Sequence, residues 1–138
     1  MSGSPIDRII DALDRLDVEA AVALFASDAR LLTVDGRRAE GTDAVRVLLT
    51  GFLGQLRAAS HTPTAVWHEE NVWIAEVDTT YELQDFRKLT GVPRAFVLRD
   101  SANGIASLHV YGAHERRLDE HPSADRGLFI GDRWIPPL

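Results

Sequence analysis

Leu13–Leu56, LDRLDVEAAVALFASDARLLTVDGRRAEGTDAVRVLLTGFLGQL, is the stretch that decides how this chain folds. It predicts two short helices meeting at Asp17, a brief strand pair turned at Asp35-Gly36, and a long helix opening after Gly41. In the long helix Val45, Leu48, Leu49, Phe52, Leu53 and Leu56 recur every three or four residues, the strongest periodic signal in the sequence. Upstream, Ser4 can cap a first helix, Pro5 suits its first position, and Asp7 favours its positive end. Ile6, Ile9, Ile10 and Leu13 then give that helix one apolar stripe. Asp17 caps the second helix, whose Val18, Ala21, Val22 and Phe25 face inward.

Strands follow the helices. Val66 to His68, Val72 to Leu83, Val92 to Arg99 and Ile105 to His114 are rich in Val, Ile, Thr or aromatic residues. Glu69 to Asn71 predicts a tight turn, and Asn103-Gly104 is the strongest hairpin signal. Helices gathered first and hairpin-linked strands afterwards make an α+β domain with an antiparallel sheet.

Composition narrows the function classes. The 138 residues are 45% hydrophobic and 26% charged, which suits one globular domain with one core. A formal net charge of -6 argues against a nucleic-acid partner, which selects a basic face. The absence of cysteine rules out disulfides and thiolate metal sites. The five histidines, His61, His68, His109, His114 and His121, show no HExxH or other compact ligand spacing, so no metal site is expected. No glycine-rich phosphate loop points to a cofactor. No window approaches the roughly 18 apolar residues of a membrane span. The start MSGSPIDRII lacks the pattern of a signal peptide, so the expected location is cytoplasmic.

The order of two helices, strand pair, long helix and four long strands resembles the nuclear transport factor 2-like superfamily, and within it the SnoaL-like small proteins. The resemblance runs from Ile6 to His114. It implies a cone-shaped curved antiparallel sheet wrapped around three N-terminal helices, with residues 1–117 as a single SnoaL-like domain. It implies no single chemistry, because the superfamily holds isomerases, epoxide hydrolases, polyketide cyclases and non-catalytic binding modules.

Two facings of the strand from Val72 to Leu83 are open. Trp73, Ala75, Val77, Thr79 and Tyr81 share one face; Glu76, Asp78, Thr80 and Glu82 share the other. On the plain reading the apolar set enters the core and the carboxylates meet water. On the alternative, both faces are covered. Glu76-Val77-Asp78 looks like the Arg-x-Asp of limonene epoxide hydrolases, with Asp78 matching their catalytic carboxylate. That register turns Asp78 into the cone and Trp73, Val77 and Tyr81 towards another subunit, joined there by Phe96, Leu98 and Tyr111. Asp78 would then be a base with Glu76 as partner, two like charges in an apolar cone raising at least one pKa. Thr33, Phe52, Leu56, Thr80, Ala95, Val97, Leu108 and Val110 would contact a ligand. Arg99 complements the pair if it shares their face.

The same resemblance argues against two specific reactions. Glu76 stands where the epoxide hydrolases have Arg, and Val110 where they have a second Asp. Ile9, Thr33 and Ala95 stand where ketosteroid isomerases carry a Tyr and two Asp, so their proton donors and base are absent. The expected function is a small homodimer with an apolar pocket for a hydrophobic small molecule, either an acid/base isomerase, cyclase or hydratase, or a non-catalytic ligand-binding or dimerisation module. No nucleic-acid or membrane partner is expected.

Residues 118–138 form a C-terminal extension. Leu118 to Arg126 predicts an irregular connection. Leu128, Phe129, Ile130, Trp134 and Ile135 then bring back apolar bulk around a Gly131-Asp132 turn. Gly127 to Ile135 is expected to be ordered, packed over the mouth of its own cone or across a partner subunit.

Overall fold

The computed structural model describes residues 3–112 together with the strands at 128–130 and 133–135. Helices α1 (Pro5–Asp14) and α2 (Val18–Ala23) begin where their caps predict: Ser4 accepts from the Asp7 amide and Asp17 from the Ala20 amide, both at 3.0 Å. Strands β1 (Phe25–Leu32) and β2 (Arg38–Glu40) precede α3 (Thr42–Leu53), and β3 (Leu56–Glu69), β4 (Val72–Leu83), β5 (Lys88–Ser101) and β6 (Gly104–Gly112) complete the sheet. Phe25 belongs to β1 rather than to the second helix, because α2 ends at Ala23.

The six strands lie in the order β2-β1-β6-β5-β4-β3. β1 runs parallel to β6 and the other pairings are antiparallel. The β3–β4 turn is tight, with Glu69 paired to Val72 and Glu70 at φ 54. At the β5–β6 turn, Gly104 has φ 117, and a Cβ there would lie 2.8 Å from the Leu24 carbonyl oxygen, so glycine is required. β3 starts ten residues before the Val66 read from sequence. Ala, Ser, His, Thr and Pro dominate that first half, and Pro63 is tolerated because β3 is an edge strand.

Helix α1 lies against β3, β4 and β5, with Ile6 and Ile9 fully buried. α3 adds Val45, Leu49 and Leu53 to the same core. The facing of β4 follows from this cover. Ala75, Val77, Thr79 and Tyr81 are buried on the helix side, while Glu76 and Asp78 are exposed on the other. The alternative register is thereby corrected. Trp73, Val77, Tyr81, Phe96 and Leu98 belong to the core or pack on it, and only Tyr111 of that set lies on the outer face. The apolar row wins the interior because burying it is favourable and burying two carboxylates is costly.

In the C-terminal extension, β7 (Leu128–Ile130) pairs antiparallel with β8 (Arg133–Ile135) as a separate two-stranded sheet. The connection expected from Leu118 to Arg126 lies outside the described residues.

The facing has a direct check. Val77→Asp should cost about 3 kcal/mol or more, because it buries an unpaired charge. Asp78→Asn should change stability by less than about 0.5 kcal/mol. Urea unfolding in which the two variants lose equal stability would contradict it.

Candidate functional site

The inner face of the sheet carries one cluster of polar groups within its apolar surroundings. Asp14 closes α1, brought there by the helical stripe that seats Ile6, Ile9, Ile10 and Leu13. His61 points inward from β3, in register with Thr79 of β4, which in turn pairs with Val92 of β5. Tyr81 is the next inward residue along β4, and Arg94 the next inward residue along β5 on the opposite side of that row. All four strand side chains sit among core residues: His61 is 4% exposed, Tyr81 6%, Thr79 0% and Arg94 8%.

One oxygen of Asp14 meets His61 twice, at 2.7 Å from Nδ1 and 3.0 Å from its backbone N–H. On the far side of the ring, His61 Nε2 lies 3.0 Å from the Tyr81 hydroxyl. A carboxylate only accepts hydrogen bonds, so Nδ1 carries the ring proton and Nε2 is left as acceptor. Tyr81 therefore donates to Nε2. Edge-on contacts of Tyr81 with Phe52 at 5.7 Å and with His61 at 5.4 Å, and a tilted contact of His61 with Phe96 at 5.8 Å, hold the rings in place. Thr79 donates to the Val92 carbonyl at 2.7 Å. Gly112 lies beside Arg94: with φ 150, a Cβ there would lie 2.6 Å from the Pro93 carbonyl oxygen and 3.2 Å from Arg94 Nη1, so glycine is required.

Burial pushes the His61 imidazole below its usual range. The hydrogen bond and charge of Asp14 oppose that shift, and the Arg94 guanidinium adds to it. Burial likewise pushes the Tyr81 phenol up, against the charge of Arg94 and hydrogen bonding with Thr79 and Arg94. The resting pair at neutral pH is a neutral imidazole and a neutral phenol. This is a base oriented by a carboxylate and touching a proton donor, with a guanidinium close by.

The residues read from sequence divide between two faces. Phe52, Leu56, Leu108 and Val110 lie on or pack against the core, on the side of the cluster. Thr80, Ala95 and Val97 lie on the outer face with Glu76, Asp78 and Arg99. Thr33 sits at the β1–β2 turn, its hydroxyl donating to Asp35. The Glu76–Asp78 pair is thus in solvent, outside the buried cluster. Sequence reading missed Asp14, Tyr81 and Arg94 as site residues and took His61 only as one of five scattered histidines. One signal was present: Arg94 alternates with Phe96 and Leu98 in an otherwise apolar inward set.

Among the described residues, no group of three His, Asp or Glu could hold a metal ion, and no helix is long and apolar enough to cross a membrane. A cleft of about 470 Å³ opens elsewhere, between the start of α1 and the sheet turns, lined by Arg8, His68, Asn71, Trp73 and Asp100 among others. His68 stacks on Trp73 there at 3.6 Å, and none of the cluster reaches it.

Comparison with known proteins adds the family. Residues 6–110 match the SnoaL-like domain. No curated protein sequence matches the chain. Among solved structures, a protein with a ketosteroid isomerase-like fold from Catenulispora acidiphila, in complex with trimethylamine, superposes with a TM-score of 0.72 at 17% identity, over 80% of this chain and 86% of that one. A protein described as a SnoaL-like polyketide cyclase from Shewanella denitrificans gives 0.67 at 10% identity, over 77% and 85%. TerC co-crystallised with polyporic acid gives 0.67 at 9% identity, over 78% and 88%. At these identities the likeness shows the fold alone.

The buried imidazole predicts a pH dependence with a definite sign. His61 binds its proton less readily folded than unfolded, so the unfolded chain takes up more protons as pH falls through about 6.5. Stability contributed by the neutral ring is complete above that value and is lost as pH falls through the lower folded pKa. NMR should show the His61 ring titrating below the value of about 6.5 for a free histidine. A His61 midpoint at or above that of an ordinary histidine would contradict the burial described here.

Proposed function

The chain belongs to the SnoaL-like domain family, and we propose that it binds a hydrophobic small molecule against the inner face of its sheet and moves a proton on it. The observation that carries this is the chain Asp14–His61–Tyr81, a carboxylate, a neutral imidazole and a phenol linked at 2.7 and 3.0 Å within the core. With a carbonyl substrate bound, the Tyr81 O–H turns from Nε2 to the carbonyl oxygen. Nε2 is then free to take a proton from the adjacent carbon. The C–H electron pair forms a C=C bond and the carbonyl π pair moves to the oxygen, which Tyr81 stabilises as an enolate, while Asp14 stabilises the imidazolium. Returning the proton at another carbon completes an isomerisation; attack by the enolate on a second carbonyl, whose oxygen then takes the proton from Nε2, completes a cyclisation. The small molecules held by two structural neighbours, trimethylamine and polyporic acid, support a small-molecule ligand here.

A second reading has its own support. Asp14 also takes the His61 backbone N–H, so the same contact fastens α1 to β3 and would be kept in a binding module without chemistry.

Deuterium uptake from D2O into a panel of enolisable aryl ketones separates the two. The protein should accelerate exchange, His61→Gln should remove about 100-fold or more of that acceleration, and Tyr81→Phe about tenfold. Binding of the ketones, followed by chemical shift changes at Phe52 and Phe96, should persist in both variants. Binding with no acceleration by the unaltered protein would favour the binding module. Acceleration unchanged in His61→Gln would remove the proposed base.

A further inference from the structure

We infer that Tyr81 passes its proton to the substrate oxygen outright, so that the enolate is trapped as an enol, and that Arg94 is the positioning residue behind this step. The step extends the proton transfer proposed for His61 and Tyr81 and rests on it. The strand register brings the parts together. Thr79 of β4 lies between His61 of β3 and Val92 of β5. Arg94 starts one inward step to one side of that row and Tyr81 one inward step to the other, each step about 6.6 Å. Their long side chains meet over Thr79, which is fully buried and commits its own hydroxyl proton to the Val92 carbonyl. Arg94 hydrogen-bonds Tyr81 there, and because a guanidinium only donates, the phenol oxygen accepts. That oxygen thus gives its proton to His61 Nε2 on one side while a cation donates to it on the other.

An oxygen so placed is ready to lose its proton. Among the described residues, the charged and titratable groups facing Tyr81 are Asp14 from α1, His61 from β3 and Arg94 from β5. Burial dominates the titration of His61 and of Tyr81, and Arg94 acts on each in one direction. It disfavours a proton on His61 and eases one off Tyr81, against the charge of Asp14 in both cases. A substrate oxygen touching only the Tyr81 O–H would hold an enolate charge less well than the phenol oxygen beside its guanidinium. The C–H proton therefore goes to Nε2, its electron pair forms the C=C bond, and the carbonyl π pair takes the Tyr81 proton. Enol, imidazolium and phenolate result. Nε2 then returns its proton to the Tyr81 oxygen across the 3.0 Å contact, and the cluster is neutral again. No uncompensated charge persists in the dry interior, where it would be costly.

Tyr81 and Tyr111 are the only tyrosines of the chain, so Tyr111→Phe with fluorotyrosine incorporation puts a single fluorine probe on the phenol at position 81. Its titration by fluorine NMR is read without substrate. Arg94→Met and Arg94→Gln should raise the midpoint, and Arg94→Lys should leave it in place because the charge is kept. Mere loosening of the core would do the opposite, bringing the midpoint down towards that of free fluorotyrosine as the ring gains water. In deuterium exchange of the aryl ketones by unlabelled protein, Arg94→Met should lower kcat about tenfold or more with KM within about twofold, and Arg94→Lys should keep most of the rate. A midpoint that stays or falls in both neutral variants, or exchange by Arg94→Met as fast as by the unaltered protein, would overturn the role of Arg94 alone. Absence of exchange by the unaltered protein would overturn the step together with the transfer it extends.

Discussion

A single carboxylate oxygen of Asp14 takes two N–H groups of His61, and the inner face of the sheet is organised around that contact. β3 is an edge strand, and the His61 amide meets Asp14 rather than another strand. Left unpaired in a buried position, that amide and the ring Nδ1 would each cost about 1–3 kcal/mol. Satisfying both with one side chain fixes where the end of α1 meets the sheet, and the stripe of Ile6, Ile9, Ile10 and Leu13 is seated accordingly. The same contact fixes the ring tautomer. It therefore decides that Nε2 is an acceptor and that Tyr81 is its donor. Packing and proton chemistry share one constraint.

The two faces of the sheet then take different work. The inner face is dry and supports a polar network whose groups are individually expensive to bury, so they are paired with each other. The outer face keeps its charges in water. Carboxylates suit the second environment and a neutral imidazole the first. That difference separates His61 from Asp78, although both alternate regularly along their strands.

Much of the fold was legible because its signals are local. Ser4, Pro5 and Asp17 announce the helix starts, the spacing from Val45 to Leu53 announces α3, and Asn103-Gly104 announces the last hairpin. The first half of β3 was not legible, since Ala58, Ala59, Ser60 and Pro63 carry little strand propensity and the segment is held by its neighbour and by Asp14. Alternation along β4 gives two sets of residues without saying which set is inside. The plain choice, apolar inward, agrees with the structure; the choice drawn from Glu76-Val77-Asp78 put weight on three residues against the burial of a whole strand. The cluster itself joins α1, β3, β4 and β5, which lie far apart in sequence. No spacing rule links Asp14, His61, Tyr81 and Arg94; only the strand register does.

The central claim is that Asp14 sets the tautomer of His61 so that its Nε2 can receive a proton. Nitrogen-15 NMR of the imidazole, by long-range correlation to the ring protons at neutral pH, reports it directly. The ring should be the Nδ1–H tautomer, with Nε2 showing the signature of an unprotonated, hydrogen-bonded nitrogen, and Asp14→Ala should abolish that preference. A His61 ring found as the Nε2–H tautomer, or one whose tautomer is unchanged in Asp14→Ala, would contradict it.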